Sequence, residues 1–292
     1  MKKGWFIILA VVVLSLAVLL VASRFGFYND ASGFHIVNKD AAQIFADKDA
    51  RKFENIEIKA DSTNIEFVTA DDYGFEYMTN SAVDTVYSNE NGILTITQTS
   101  RGKLFSLNRG DRNDYIKIYI PEEAMLKNVA VTDFSGNITI DRLTADKLEI
   151  SATSGNADIK NIQAAAVLID KTSGNVTMDS CKADNLNVNL TSGHFKANSM
   201  DMGGMTVQLT SGNAELNGEL RGINDITSIS GNVTLNIQGE KKDYNSNISV
   251  VSGNVNVDGS STKTYEYENA DAANSLKINA TSGNVTVNFK GQ

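Results

Sequence analysis

Polar and apolar residues alternate along most of the chain, and from residue 129 onward this alternation recurs at a fixed interval. Ser-Gly pairs recur at intervals of 19, 19, 19, 19, 19, 22 and 30 residues, ending at Gly136, Gly155, Gly174, Gly193, Gly212, Gly231, Gly253 and Gly283. The residues five before, two after and four after each glycine are apolar in all eight repeats. Successive residues of a strand point to opposite faces, so each repeat predicts two strands that meet at a glycine corner.

One such repeat is too thin to bury its own apolar face, and it is therefore stable only when it stacks on its neighbours. The sequence predicts an all-β fold: a β-solenoid resembling a parallel β-helix, with about 19 residues per coil and a right-handed coil favoured. Glycine supplies the positive φ that the corner needs. Asn follows the glycine in seven of the eight corners, where it can hydrogen-bond locally or form a ladder, and His194 replaces it in the remaining one.

The same register is found upstream, where residues 56–67 reproduce the repeat with Thr63 in the glycine position. We therefore expect the solenoid domain to span residues 53–292, with a first coil and an elaboration of longer strands in 53–128 and the Ser-Gly-Asn repeats in 129–292. Residues 24–52 show no strong period and are interpreted as a linker. Within it, residues 40–47 favour a short helix.

An apolar run precedes this linker. Residues 5–22 contain one polar residue, Ser15, and follow Lys2 and Lys3. As a helix, 18 residues span about 27 Å, close to the hydrocarbon thickness of a bilayer. We predict a transmembrane helix at 5–23, a cytoplasmic tail at 1–4 and an extracytoplasmic C-terminal domain, because the lysines precede the helix. A cleaved signal peptide ending near Ala22 is the alternative.

Composition narrows the possible partners. The formal net charge is -9, from 35 acidic and 26 basic residues, so the basic surface that nucleic-acid binding requires is missing. The single cysteine, Cys181, excludes an intramolecular disulfide framework. No cofactor or metal is expected.

The serial Thr-Ser-Gly-Asn-Val-Thr corners, the Ile-Tyr-Ile-Pro strand before them and the N-terminal anchor resemble a known group. They are similar to the bacterial putative-adhesin family called domain of unknown function 4097, which includes membrane-anchored members associated with envelope-stress operons. The resemblance covers about residues 53–292. It implies a β-solenoid exposed at the cell surface or in the envelope, and it brings no functional residues with it.

Candidates for catalysis or metal binding are few, and each has a simpler interpretation. His194 is expected to be a surface turn residue, and His35 lies in the linker without a visible partner. Cys181 shares its repeat position with apolar residues and is expected in the core. Calcium-binding β-rolls need a recurring carboxylate that these corners lack. The tripeptide at residues 109–111, Arg-Gly-Asp, matches an integrin-binding motif that is common by chance.

The departures from 19 residues are more informative, because insertions in solenoids map to loops that often bind partners. One insertion contains Lys241, Lys242 and Tyr244, and the other contains Tyr265 and Tyr267. These five residues are the candidate partner-binding loops. The alternative, which we favour, is that the Tyr-x-Tyr segment is a strand that caps the last coil.

The sequence therefore predicts a membrane-anchored, non-catalytic module for binding, adhesion or structure, whose partner is a cell-wall glycan or an envelope protein. A polysaccharide-acting enzyme on a β-helix scaffold is one alternative, and it needs paired carboxylates on one face. The outward position three after each glycine holds two scattered acids, Asp158 and Glu215, which argues against it. A regulator of a membrane sensor is the other alternative.

Overall fold

The computed structural model describes residues 25–30, 33–38, 42–80, 83–100 and 114–291. Within these ranges all regular structure is β-strand apart from one short 3₁₀ helix, so the predicted all-β class is confirmed. The predicted transmembrane helix at 5–23 and the tail at 1–4 lie outside the described residues. In the part of the chain that is described, no helix is long and apolar enough to cross a membrane.

The strands that precede the Ser-Gly repeats are β1 (Phe25–Asp30), β2 (Gly33–Asn38), β3 (Ala42–Asp47), β4 (Asn55–Ala60), β5 (Asn64–Ala70), β6 (Gly74–Asn80), β7 (Val83–Glu90), β8 (Ile93–Ser100) and β9 (Tyr115–Pro121). The first five repeats comprise β10 (Met125–Asp133), β11 (Ile138–Ile140), β12 (Leu143–Ala152), β13 (Ala157–Lys160), β14 (Ile162–Ser173), β15 (Val176–Asp179), β16 (Lys182–Ser192), β17 (Phe195–Met202), β18 (Met205–Ser211) and β19 (Ala214–Leu220). The remaining elements are β20 (Ile223–Ser230), β21 (Val233–Ile237), the 3₁₀ helix (Lys241–Asp243), β22 (Tyr244–Ser252), β23 (Val255–Val257), β24 (Ser260–Thr262), β25 (Thr264–Tyr267), β26 (Asn274–Ser282) and β27 (Val285–Phe289).

Strands of successive repeats pair in parallel, in the register that the 19-residue period predicts. β12 pairs with β10 and β14, which places Ile150 between Val131 and Ile169. The strands that follow the corners stack in the same way, with Ile159 beside Met178. All five side chains are buried. The core is therefore a continuous column between two parallel ladders of strands.

Two strands joined at a corner are called a coil below, and each coil is named after its corner residue. At one end of the stack the order of the coils differs from their order in the sequence. β26 of the Gly283 coil pairs with β20 of the Gly231 coil on one side and with β22 of the Gly253 coil on the other. The Gly253 coil is outermost, and antiparallel strands cap it, β25 on β22 and β24 on β23.

At the opposite end of the stack, too, the order of the strands differs from their order in the sequence, and antiparallel strands form a cap. β4 and β5 form the Thr63 coil and pair in parallel with β10 and β11 of the Gly136 coil, as predicted. On their other side they pair in parallel with β8 and β9, which lie further out although they come later in the chain. Antiparallel strands then cap this end, with β7 on β8, β6 on β9 and β3 on β6.

The short helix predicted at residues 40–47 is wrong, because residues 42–47 form β3 and pair with β6. Phe45 of β3 packs against Phe75, Tyr77 and Tyr87, with ring centroids 5.6, 5.5 and 4.5 Å away. A segment this short is a marginal helix, so strand pairing and aromatic packing decide its conformation. The stretch predicted as a linker also contains the antiparallel pair β1 and β2.

Candidate functional site

At the Ser-Gly corners the backbones of neighbouring coils lie so close together that no side chain fits between them. Gly174 has a φ of +95°, and a Cβ built on it would lie 1.9 Å from the carbonyl oxygen of Gly155. At Gly136, where φ is not positive, a Cβ would lie 1.8 Å from the carbonyl oxygen of Thr63. Real Cβ atoms do not approach backbone oxygens this closely, so contact between coils requires glycine at these two Ser-Gly corners, and at Gly174 the positive φ favours glycine as well.

The residue after each corner glycine forms a ladder that links the coils. Asn side-chain oxygens accept hydrogen bonds from the backbone N–H at the same position of the next coil in the stack. The distances are 3.1 Å from Asn64 to Asn137, 2.9 Å from Asn137 to Asn156, 3.0 Å from Asn156 to Asn175, 2.8 Å from Asn213 to Asn232, 2.9 Å from Asn232 to Asn284 and 3.0 Å from Asn284 to Asn254. The ladder predicted from the recurring Asn is therefore present.

His194 is a member of this ladder. Its backbone N–H donates to Asn175 Oδ1 over 3.0 Å, and its Nδ1 accepts from the backbone N–H of Asn213 over 3.3 Å. The side chain is exposed, as predicted. The ring nitrogen replaces the Asn oxygen as the acceptor, which requires the proton of the neutral ring to be on Nε2.

Two rows of residues before the corner glycines face solvent along the stack and are called the corner rows below. Serine occupies the row directly before the glycine, and the pairing aligns Ser173, Ser192, Ser211, Ser230, Ser282 and Ser252. The row before it holds mainly threonine, and its exposed members include Thr172, Thr191, Thr210 and Thr281. Three members of this row are exposed apolar residues instead. They are Phe134, Ile229 and Val251, whose exposed fractions are 56, 52 and 80%.

The two insertions meet at the outer end of the stack. Tyr265 lies opposite Ile248 and Tyr267 lies opposite Ser246, both of which are buried residues of β22. The Lys241 ammonium is 4.9 Å from the centroid of the Tyr265 ring and 5.3 Å from that of the Tyr267 ring, a cation–π arrangement. The Tyr-x-Tyr segment therefore caps the outermost coil, the interpretation that the sequence favours.

The other two candidate loop residues have different surroundings. Tyr244 is 2% exposed and its ring packs 5.4 Å from that of Phe289, so it is a core residue and its prediction as a partner contact is wrong. Burial raises the pKa of Tyr244 to about 12, with the Glu219 charge adding to the shift. Lys242 is exposed and forms an ion pair of 2.6 Å with Glu240.

The remaining candidates do not come together into a site. Cys181 is 2% exposed, as predicted, and burial raises the pKa of its thiol. His35 lies in β2, and residues 109–111 are outside the described residues. Among the residues described, no cluster of three His, Cys, Asp or Glu could hold a metal ion. Asp158 and Glu215 are ion-paired with Lys160 and Lys196 at 3.1 and 3.8 Å.

A second amide ladder escaped the sequence analysis. It lies on the outward face, five residues after the corner glycines. Asn217 Nδ2 donates to Asn198 Oδ1 at 2.9 Å, Asn236 Nδ2 to Asn217 Oδ1 at 2.5 Å and Asn288 Nδ2 to Asn236 Oδ1 at 2.9 Å. The signal was available, because Asn recurs at this position in the Gly193, Gly212, Gly231 and Gly283 repeats.

Comparison with known proteins identifies the family. The sequence profile of Toastrack DUF4097 matches residues 53–288, from just before β4 almost to the end of β27. The chain belongs to the Toastrack DUF4097 family. The resemblance inferred from the Ser-Gly-Asn corners is therefore confirmed for the repeats. A search of curated proteins finds no match to this Toastrack chain.

Solved structures that match this chain include two described as putative adhesins. The one from Bacteroides fragilis is 11% identical and covers 85% of this chain and 97% of its own, with a TM-score of 0.49. The one from Parabacteroides distasonis is 11% identical, covers 85% and 98%, and also has a TM-score of 0.49. A structure from P. distasonis described as a putative lipid binding protein is 15% identical, covers 85% and 97%, and has a TM-score of 0.42.

Proposed function

We propose that this chain is a non-catalytic binding module of the bacterial cell envelope. Residues 5–23 anchor it in the membrane with residues 1–4 in the cytoplasm, and the coils form an extracytoplasmic β-solenoid. The apolar run behind Lys2 and Lys3 supports the anchor and its orientation. The parallel pairing of successive repeats supports the solenoid.

The observation that carries the proposal is the regular exposure of the corner rows. Parallel pairing sets the same serine and threonine groups about 4.8 Å apart from coil to coil. The Asn ladder beside them fixes the corners, so the row is rigid. Since both ends of the stack are capped by antiparallel strands, its sides are the surface available to a partner. A rigid, repetitive row of hydroxyl and apolar groups matches a repetitive envelope polymer.

The two acids in the outward row three residues after the corner glycines are too far apart to act as the catalytic pair of a glycoside hydrolase. Pairing places Asp158, Thr177, Lys196 and Glu215 on four consecutive strands, so the two acids are about 14 Å apart across the ladder. Glycoside hydrolases need their two carboxyl groups within about 5 to 9.5 Å.

The anchor is tested by topology. We expect the chain to stay in the membrane fraction at full length, with its C-terminal part digested by protease added from outside once the outer layers are removed. A mature N-terminus near Ser23 would show a cleaved signal peptide and contradict the anchor.

Binding is tested with the full chain purified in detergent and co-sedimented with isolated cell-wall sacculi. We expect T172K/T210K, which places two long cations in the corner rows two coils apart, to lower co-sedimentation at least about threefold by steric obstruction. The matched control is T139K/T177K, which adds the same charges to an outward row of the next strand. Failure of the unmodified chain to sediment, or equal losses for both variants, would contradict binding through the corner rows.

A further inference from the structure

A cavity of about 550 Å³ lies on the outward side of β19, β21 and β27, away from the corner rows. Its volume is within the usual range of about 300 to 1,000 Å³ for small-molecule sites. The lining consists of amide side chains, glycine backbone and one lysine: Asn217, Gly218, Asn236, Gln238, Gly239, Lys290 and Gly291.

The concavity arises from a change in the path of the chain between coils. In earlier coils Asn161, Ser180 and Ser199 have φ values of 52°, 55° and 52°, and these residues turn the chain after the strand that follows the corner. The register then shifts by one residue between β17 and β19, and Gly218 pairs with Met200. A Cβ on Gly218 would lie 2.2 Å from the carbonyl oxygen of Met200, so this position must stay without a side chain. Backbone packing therefore keeps this side of the cavity open.

The amide ladder fixes the polar groups of the lining before any ligand arrives. Asn236 donates to Asn217 and accepts from Asn288, so its amide plane is held from both sides. An amide has two N–H groups and two acceptor lone pairs, and one of each stays available on Asn236. Sugar hydroxyls both donate and accept hydrogen bonds, and a preorganised amide can satisfy both.

The charge of Lys290 indicates which class of sugar would bind. Lys290 is exposed at the rim of the cavity and forms no ion pair within the described residues, whereas many lysines on the outward face of the stack pair with an acid. We propose that the cavity binds an acidic oligosaccharide, with sugar hydroxyls on Asn217 and Asn236 and a carboxylate at Lys290. The inference rests on the proposed role in envelope binding and names the ligand class of a separate subsite.

The test is calorimetric titration of the full chain in detergent with trigalacturonate, and with maltotriose as the neutral comparison. We expect trigalacturonate to bind, maltotriose to bind at least about tenfold more weakly, and K290Q to lower the affinity for trigalacturonate about tenfold through loss of one charge-assisted contact. K160Q, an exposed lysine outside the cavity, is the matched control and should bind like the unmodified chain.

Gln238 provides a second test that does not depend on Lys290. It is exposed and has an ordinary surface position, so Q238E and Q238K should both fold. We expect Q238E to weaken and Q238K to strengthen trigalacturonate binding. Absence of binding, equal binding of maltotriose, or equal affinities in K290Q, Q238E and the unmodified chain would overturn the inference. The membrane topology and sacculus co-sedimentation would be unaffected by that failure, so the two proposals can fail separately.

Discussion

Lys171 and Asp133 lie in the same buried row of the core, separated by Ala152 on the strand between them. Each is 1% exposed. Asp133 Oδ2 accepts a hydrogen bond from the backbone N–H of Gly136, so part of this carboxyl is satisfied within its own corner. The Lys171 ammonium has no hydrogen-bond partner in the described part of the chain. A lysine in this position costs folding free energy, because its charge is removed from water without replacement contacts.

We predict that K171M stabilises the chain by about 1 to 2 kcal/mol at pH 7, since Met fills the same space without a charge. Burial lowers the pKa of Lys171 below its ordinary value of 10.5, while the Asp133 charge opposes the shift. The unfolded chain therefore binds more protons between the lowered value and 10.5, and the lysine's cost disappears as pH rises through that window. The gain should shrink between pH 7 and pH 10 in urea melts.

The control for this substitution is K160M, which changes an exposed lysine. Its free energy of unfolding should lie within about 0.5 kcal/mol of that of the unmodified chain. A loss of 2 kcal/mol or more in K171M at both pH values would mean that the ammonium is stabilised by Asp133 after all.

The corners supply a second prediction. G174V should lower the free energy of unfolding by at least about 3 kcal/mol. A β-branched residue would have to adopt positive φ at this position, and its Cβ would meet the Gly155 carbonyl oxygen. T177V changes an outward strand position, where Val is equally suited, and should lie within about 0.5 kcal/mol. Chemical denaturation of the two variants measures both changes in the free energy of unfolding. Similar midpoints would mean that the corner is not a close contact.

A third prediction concerns the histidine in the Asn ladder. H194N should raise the free energy of unfolding by up to about 1 kcal/mol, because the Asn213 N–H would donate to an amide oxygen in place of the ring nitrogen that now accepts it over 3.3 Å. Thermal melts of the variant and the unmodified chain at pH 7.5 measure the difference. Equal or lower stability of the variant would show that the ring nitrogen serves this ladder step as well as an Asn oxygen does.

The cap on the Gly253 coil is tested by Y265A/Y267A. Loss of both rings removes their contacts with Lys241 and should detach β25, which leaves the edge of β22 unpaired. We expect faster hydrogen exchange in β22 and self-association in sedimentation velocity. E266A/E268A changes the neighbouring exposed residues of the same segment and should sediment like the unmodified chain. If the tyrosine variant behaves like this control, the rings do not hold the cap.

Much of the repeat could be predicted from sequence, because burial in a stacked coil imposes the same requirement on every copy. Val131, Ile150 and Ile169 are equivalent positions, and the pairing aligns them. The order of the coils could not be predicted, for the same reason. Ile248 and Ile278 suit the site beside Ile226 equally well, so the apolar pattern cannot tell which coil is the neighbour.

The amide ladder was missed because an outward polar residue was interpreted only as a solvent-facing position. Asn236 and Asn217 face outward, yet their amides bond to each other along the stack, and no solvent-exposure argument anticipates this. The helix predicted at 40–47 failed for a different reason. Its conformation depends on Phe45 meeting Phe75 and on pairing with β6, which are contacts between distant parts of the chain.

The place of the Gly283 coil has a consequence for how the chain is completed. Residues 274–289 are inserted between coils made earlier, with Ile278 beside both Ile226 and Ile248. A chain that stops before Asn274 would thus be left with an unfilled slot and two apolar strand edges, instead of a shorter but intact stack. A truncated chain therefore exposes unpaired strand edges that the full-length chain buries. A protease or chaperone that recognises such edges would distinguish the truncated chain from the full-length one.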